Sequence, residues 1–346
     1  MRTFAFALAA LVASCAAPSS ILHSDAEERP TPAEATFVYE DLDAFAAAMA
    51  RIDEGADAAA EMLGYTENAS PAFRFFAGRF GATPESMLEE ITRRPRYYRY
   101  LGTLKPELQA MEPGLRAAMR RLRETAPPGS APVPFYFLVG NQTAGANPGF
   151  VDTPQGQMYF VAVAIDAMAM SPRVDMSEFA RGAGGRVRLD DIPYVVIHET
   201  VHVYQRQQQG LDNYRAIYTV EGRGTNLAYA IREGCADFLT ELVSGHRLEQ
   251  RESYVDGHER ELWRSFAPVM LEAEDGASGW FGAPSEAHPD RPSQVGYGLG
   301  SRICRAYHDA SPDKTSALLA IYGAHLAEHF EAIAAPYAAR MAASGR

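Results

Sequence analysis

Cysteine is scarce in this chain, with three in 346 residues. So few rule out a small fold stapled by a disulfide framework, and 47% hydrophobic residues over this length can build a core without one. No apolar run reaches the roughly 18 residues that a membrane-spanning helix requires. No internal repeat is apparent, which excludes a solenoid. Positive charge is also short: the formal net charge is −12. Acidity of that size argues against nucleic acid or an anionic membrane surface as the main partner. What remains is one elaborated globular domain or two tightly joined lobes.

The first residues read as a targeting segment. Arg2 supplies a charged start and Phe4 to Ala13 an apolar stretch of signal-peptide length. Leu11-Val12-Ala13-Ser14-Cys15 resembles a bacterial lipobox, with cleavage before Cys15 and a lipid on its sulfur. Ordinary secretion, with cleavage near Ala16 or Ala17, is the alternative. The expected organisation is a lipoprotein signal peptide over 1–14, a flexible tether over 15–36 and a folded domain over 37–346. Ala16 stands where an aspartate would retain a lipoprotein at the inner membrane. The expected location is therefore the periplasmic side of the envelope, anchored by lipid to the outer membrane.

The strongest chemical signal is His198-Glu199-Thr200-Val201-His202. On an α-helix, positions i and i+4 share a face, so both imidazoles reach one metal ion while Glu199 stands beside its water. Asp190 and Asp191 offer N-cap oxygens, Pro193 suits a first turn, and no turn residue intervenes before Gly210. The valine content would also suit a strand, but there the two histidines would stand about 13 Å apart, too far to share zinc.

Catalytic zinc takes three protein ligands and keeps a fourth position for water. Glu233, 31 positions after His202, is the best third ligand, on a helix spanning about 226–244. Gly234 and Ala236 would let that helix pack closely on the first. Asp237, one turn beyond Glu233, is a candidate to accept the spare N–H of a ligating imidazole. Cys235 points about 200° away from Glu233 around the helix and is not counted as a ligand. Cys235 and Cys304 read as buried free thiols, with a disulfide as the alternative.

Elsewhere the chain reads as helical over 38–63 and 84–124, with Leu42, Phe45, Met49 and Ile52 on one stripe. Val133–Val139 and Gln157–Ile165 are β-prone, separated by a turn-rich segment, and one of these strands suits the rim of a cleft. Helices follow over 255–274, 297–309, 313–322 and 324–343. Asp275–Gly296, with Trp280 and Phe281, suits either a lid or a surface loop docked through Trp280. Tyr297, between Gly296 and Gly298, is the candidate donor to an oxyanion, with a packed aromatic as the alternative. Arg302, His258 and His308 are lesser candidates for that role.

Ile192-Pro193-Tyr194-Val195-Val196-Ile197-His198-Glu199-Thr200-Val201-His202-Val203-Tyr204-Gln205, then Glu233-Gly234-Cys235-Ala236-Asp237-Phe238 and Gly296-Tyr297-Gly298-Leu299-Gly300, resemble a known family. It is the predicted zinc-dependent proteases of gluzincin type, and most of all the bacterial lipoproteins related to the gliding-motility lipoprotein GldB. The likeness covers about residues 190–310. It implies an α+β, predominantly helical, zincin-like fold with a small β-sheet above two metal-binding helices. It also implies one Zn2+ per chain on His198, His202 and Glu233, with Glu199 as the general base.

The function expected is a zinc metallopeptidase hydrolysing peptide bonds in the bacterial cell envelope. Two alternatives stay open. One is a non-catalytic zinc-binding lipoprotein serving assembly or motility, and the other is a zinc-dependent amide hydrolase acting on cell-wall fragments.

Overall fold

The computed structural model describes residues 35–154, 156–174, 176–179, 187–219, 224–274, 278–282, 285 and 288–344. The expected signal peptide, Cys15 and nearly all of the tether lie outside the described residues. Among the described residues the protein is predominantly helical with one small four-stranded sheet, the α+β class expected. No helix among the described residues is long and apolar enough to cross a membrane. The chain divides into two compact units, one of residues 35–120 with 131–203, the other of 121–130 with 204–344.

The first unit opens with β1 (Phe37–Val38) and the helices α1 (Glu40–Asp53), α2 (Ala58–Glu67), α3 (Pro71–Phe80), α4 (Pro84–Arg93), α5 (Pro95–Leu101) and α6 (Lys105–Thr125), the last of which runs on from residue 121 into the other unit. The breaks have local causes. Gly55 takes φ +102° between α1 and α2, a conformation that side chains resist. Pro71, Pro84 and Pro95 each occupy a first helical turn, where the missing N–H is no loss. Ser70 accepts from Phe73 N, and Thr83 forms a capping box with Ser86. Thus the helical stretches expected over 38–63 and 84–124 are two and three separate helices, and α3 lies in the gap between them. Leu42, Phe45 and Met49 are buried as their stripe implies, and Ile52 at its end is half-buried. Phe45 meets Tyr65 edge-on at 5.6 Å, and the Tyr65 hydroxyl donates to Val139 O at 3.0 Å.

The sheet adds β2 (Phe135–Leu138), β3 (Ala146–Thr153) and β4 (Gly156–Ala164) in the order β1-β2-β4-β3. β1, β2 and β4 are parallel, with Phe135 opposite Val161, and β3 returns antiparallel to β4, with Ala146 opposite Val163. The turn-rich reading of 140–156 is thereby corrected. Pro148 and Gly149 disguise β3 in the sequence, yet an edge strand accepts a proline because half its N–H groups have no ladder partner. Gly149 is required there, since a Cβ would lie 2.9 Å from the Phe75 ring and collide with Phe160.

Helix α7 (Ile192–Gln209) carries the chain into the second unit, followed by α8 (Leu211–Thr219), α9 (Asn226–Ser244), α10 (Glu249–Phe266), α11 (Val295–Ala310), α12 (Lys314–Gly323) and α13 (Ala327–Ser344). Here α9 and α11 approach almost backbone to backbone. A Cβ on Gly234 would overlap the Gly300 backbone, and one on Gly300 would overlap the Ala230 carbonyl. Gly234 therefore serves the contact with α11, a partner the sequence did not indicate. Gly298 abuts α10, where a Cβ would lie 2.9 Å from Val255 Cγ2, and Gly296 abuts the Trp280 carbonyl and the Phe281 ring.

Cys235 and Cys304 are joined in a disulfide with their Cα atoms 5.4 Å apart, which corrects the expectation of two free thiols. The α9–α11 approach supplies the proximity that spacing in the chain could not. Trp280 and Phe281 are buried, Trp280 against Phe266 at 5.0 Å and Phe281 against Tyr229 at 5.5 Å. That part of the 275–296 segment is docked surface structure.

Gly300→Ala is expected to destabilise the protein by about 2–3 kcal/mol through overpacking. Gly64→Ala, in a helix with nothing within 4 Å of the added carbon, should stabilise it by about 0.5–1 kcal/mol. Chemical denaturation of the two variants side by side checks both signs. Replacing Cys235 and Cys304 together by alanine should cost about 2–4 kcal/mol, because their bond closes a loop 69 residues long. Peptide mapping without reductant should recover the two cysteines linked.

Candidate metal centre

The site is built on α7 and α9. A 3-10 turn at Leu189–Asp191 leads into α7, Pro193 lies in its first turn, and Gly210 ends it at φ +77°. Ile192, Val196, Ile197, Val201 and Val203 are fully or nearly fully buried, which explains the apolar sequence around the polar motif. Thr200 is buried too and returns its hydroxyl to Val196 O at 2.7 Å. His198, Glu199 and His202 are buried beside this apolar shell, at 7%, 6% and 5% exposure. Burying a carboxylate beside two imidazoles costs free energy unless the charge is balanced, and a cation held between them balances it.

One helical turn apart, the two imidazoles bring their Nε2 atoms to 3.0 Å, with ring centres 4.7 Å apart and planes at 84°. Glu233 joins them from α9, whose first turn is capped by Thr225 and whose end is closed by Gly245 in the left-handed conformation. Ligand atoms of His198, His202 and Glu233 all lie within 4.8 Å of one another in a buried group, Glu233 keeping some exposure as a whole residue. Nitrogen and oxygen donors at zinc bond lengths in tetrahedral array stand about 3.3 Å apart. The group has the donor types, the number and nearly the spacing that such an ion requires. The residues fit zinc.

Further contacts hold α7 and α9 in place. Gln205, one turn past the motif, donates to Arg232 O at 3.2 Å and so ties α7 to the residue before Glu233. Gln209 donates to Tyr322 O at 2.6 Å and accepts from Arg232 Nη2 at 2.9 Å. The buried Tyr204 phenol is pushed up to about 12 by loss of solvent, which keeps it protonated in neutral solution. Tyr218, on α8, donates from its hydroxyl to Glu233 Oε1 at 3.1 Å. No sequence motif marks Tyr218. Its only signal is the pairing of Tyr214 and Tyr218 at i, i+4, which puts both rings on one face of a short helix.

Asp237 is buried one turn beyond Glu233 and accepts an ion pair from Arg251. Arg251 also meets Glu252 at 2.9 Å, and Arg302 pairs with both Glu252 and Asp256. Burial raises the Asp256 carboxyl, but the Arg302 and Arg247 guanidiniums outweigh that and hold it below the usual carboxylate range. Tyr297 is buried beside this cluster, its ring centre 5.6 Å from the Arg251 guanidinium and 6.3 Å from that of Phe281. His258 stacks on Tyr254 at 4.2 Å, and His308 lies 5.4 Å from the Phe238 ring. Cys235 is held by Cys304, consistent with its exclusion from the ligand set. Comparison with family models, with curated proteins and with solved structures finds no match.

Purified protein loaded with zinc and desalted should retain one ion per chain by elemental analysis. Glu233→Ala should weaken zinc binding by about 100-fold or more, beyond the usual effect of losing an outer-shell contact. Chelator competition measures that loss, and unchanged affinity would remove Glu233 from the ligand set.

Proposed function

We propose that this chain is a zinc-dependent peptidase of the cell envelope, with a zincin-like fold in which α7 and α9 are the metal-binding helices. The observation that carries the reading is the convergence of Glu233 with His198 and with His202, 31 positions before it in the chain, beside the buried Glu199. Zinc bound there supplies Lewis acidity toward a carbonyl and a water of lowered pKa. Two neutral imidazoles and one carboxylate leave the loaded centre a net charge of +1, which suits the anion formed during amide hydrolysis.

Glu199 is the general base of this reading. It follows His198 directly, so its carboxylate projects beside the ligand face without being one of the three converging ligands. There it takes the proton of the attacking water and delivers it to the leaving amine. Tyr297 remains the proposed donor to the oxyanion, and Asp237 the proposed partner of a ligating imidazole. An edge strand such as β3 offers main-chain N–H and C=O groups to an extended peptide.

The Cys235–Cys304 disulfide supports an oxidising compartment, which accords with export and with lipidation at Cys15. The partners proposed are therefore a peptide or protein substrate and the membrane that holds the lipid. Nucleic acid is not among them.

Glu199→Gln should keep zinc content near one per chain and lower cleavage of a fluorogenic peptide library by about 10²–10⁴-fold. Equal turnover in parent and variant would remove the proposed base.

A further inference from the structure

Arg232 is 1% exposed, and no carboxylate pairs with it among the described residues. A buried guanidinium in that state must be held by neutral groups. It donates to Gln209 Oε1 at 2.9 Å and to Tyr214 O at 3.4 Å. Its carbon lies 4.2 Å from the Tyr214 ring centre and 5.6 Å from that of Tyr218. The faces of two tyrosines thus supply the negative potential that a carboxylate would otherwise provide.

The same contacts restrain Tyr218. Its ring is caught between Tyr214, at 5.9 Å, and Tyr229, which it meets edge-on at 5.1 Å. From that position its hydroxyl donates to Glu233 Oε1 at 3.1 Å. Arg232 and Glu233 are consecutive on α9, so a single residue step places the cation on one side of Tyr218 and the carboxylate at its hydroxyl. Gln209 fixes the other end of the chain of contacts through the Tyr322 carbonyl, 2.6 Å away.

We propose that Tyr218 and Arg232 are positioning residues for Glu233: the phenol holds the carboxylate, and the guanidinium holds the phenol. This rests on the reading of Glu233 as a metal ligand. A free glutamate side chain loses rotamer freedom when it ligates an ion, and a carboxylate already held by a fixed donor loses less. Arginine is needed for this because a lysine ammonium lacks the planar fork that reaches Gln209 and Tyr214 while lying on a ring.

Zinc affinity measured by chelator competition tests the pair. Tyr218→Phe keeps the ring and removes only the donor, and should bind zinc about 10–100-fold more weakly. Arg232→Lys should weaken binding by about tenfold. The double variant should bind no more weakly than Tyr218→Phe alone, because both changes act on one hydrogen bond. The visible spectrum of the cobalt-loaded protein should change in Tyr218→Phe, reporting an altered carboxylate. Thermal melts of the metal-free variants separate this from a purely structural role. A lowered melting temperature with unaltered affinity in both single variants overturns the proposal, as do additive losses in the double variant. Parent protein that binds no zinc overturns the ligand reading itself. Parent binding with unaltered variants overturns only the positioning role.

Discussion

At Gly234 and Gly300 two helix backbones meet where even a methyl group does not fit, and the second unit depends on that contact. Close approach of this kind gains dispersion along the whole interface but tolerates no added volume. It sets α9 against α11 and brings Cys235 within bonding distance of Cys304. It also sets which way the remaining faces of α9 look. Arg232 and Glu233 face the tyrosines of α8, and Asp237 faces Arg251 of α10. The glycines of Gly296-Tyr297-Gly298-Leu299-Gly300 then have a common explanation: each is a place where another segment presses on α11.

Polar groups within this packing are arranged in two ways. Asp237, Arg251, Glu252 and Arg302 form alternating ion pairs, so each buried charge has an opposite neighbour and little net field remains. Around Glu233 the arrangement differs. Two imidazoles, a phenol and a carboxylate converge, and the nearby cation is satisfied by amide, carbonyl and ring faces. A set of donors with that composition is suited to a divalent ion, and the ion-pair cluster is suited to holding helices together. The two lie one helical turn apart on α9.

Legibility in the sequence followed the range of the interactions. The His198–His202 spacing was readable because i, i+4 geometry belongs to a single helix, and α7 has the expected start at Pro193 and stop at Gly210. Glu233 was readable through its own helix and its neighbours in the motif. β3 was not, because Pro148 and Gly149 have turn-like propensities that an edge position and the Phe75 and Phe160 rings override. α8 was hidden by its brevity, and with it Tyr218. The helices α1, α2 and α4 to α6 were legible as helix but not as separate pieces, and α3 was not legible at all, since caps such as Ser70 and Thr83 are also common in loops.

By itself the sequence determined the residue types of the site, the helix that carries two of them, and the predominance of helix over strand. These follow from local stereochemistry, which neighbours in the chain dictate. Tertiary structure alone decided that Cys235 meets Cys304, that Gly234 serves α11, and that Tyr218 reaches Glu233. Each of these joins segments whose separation along the chain carries no information about distance in space. Only the packing of buried surfaces, summed over many residues, selects which segments meet.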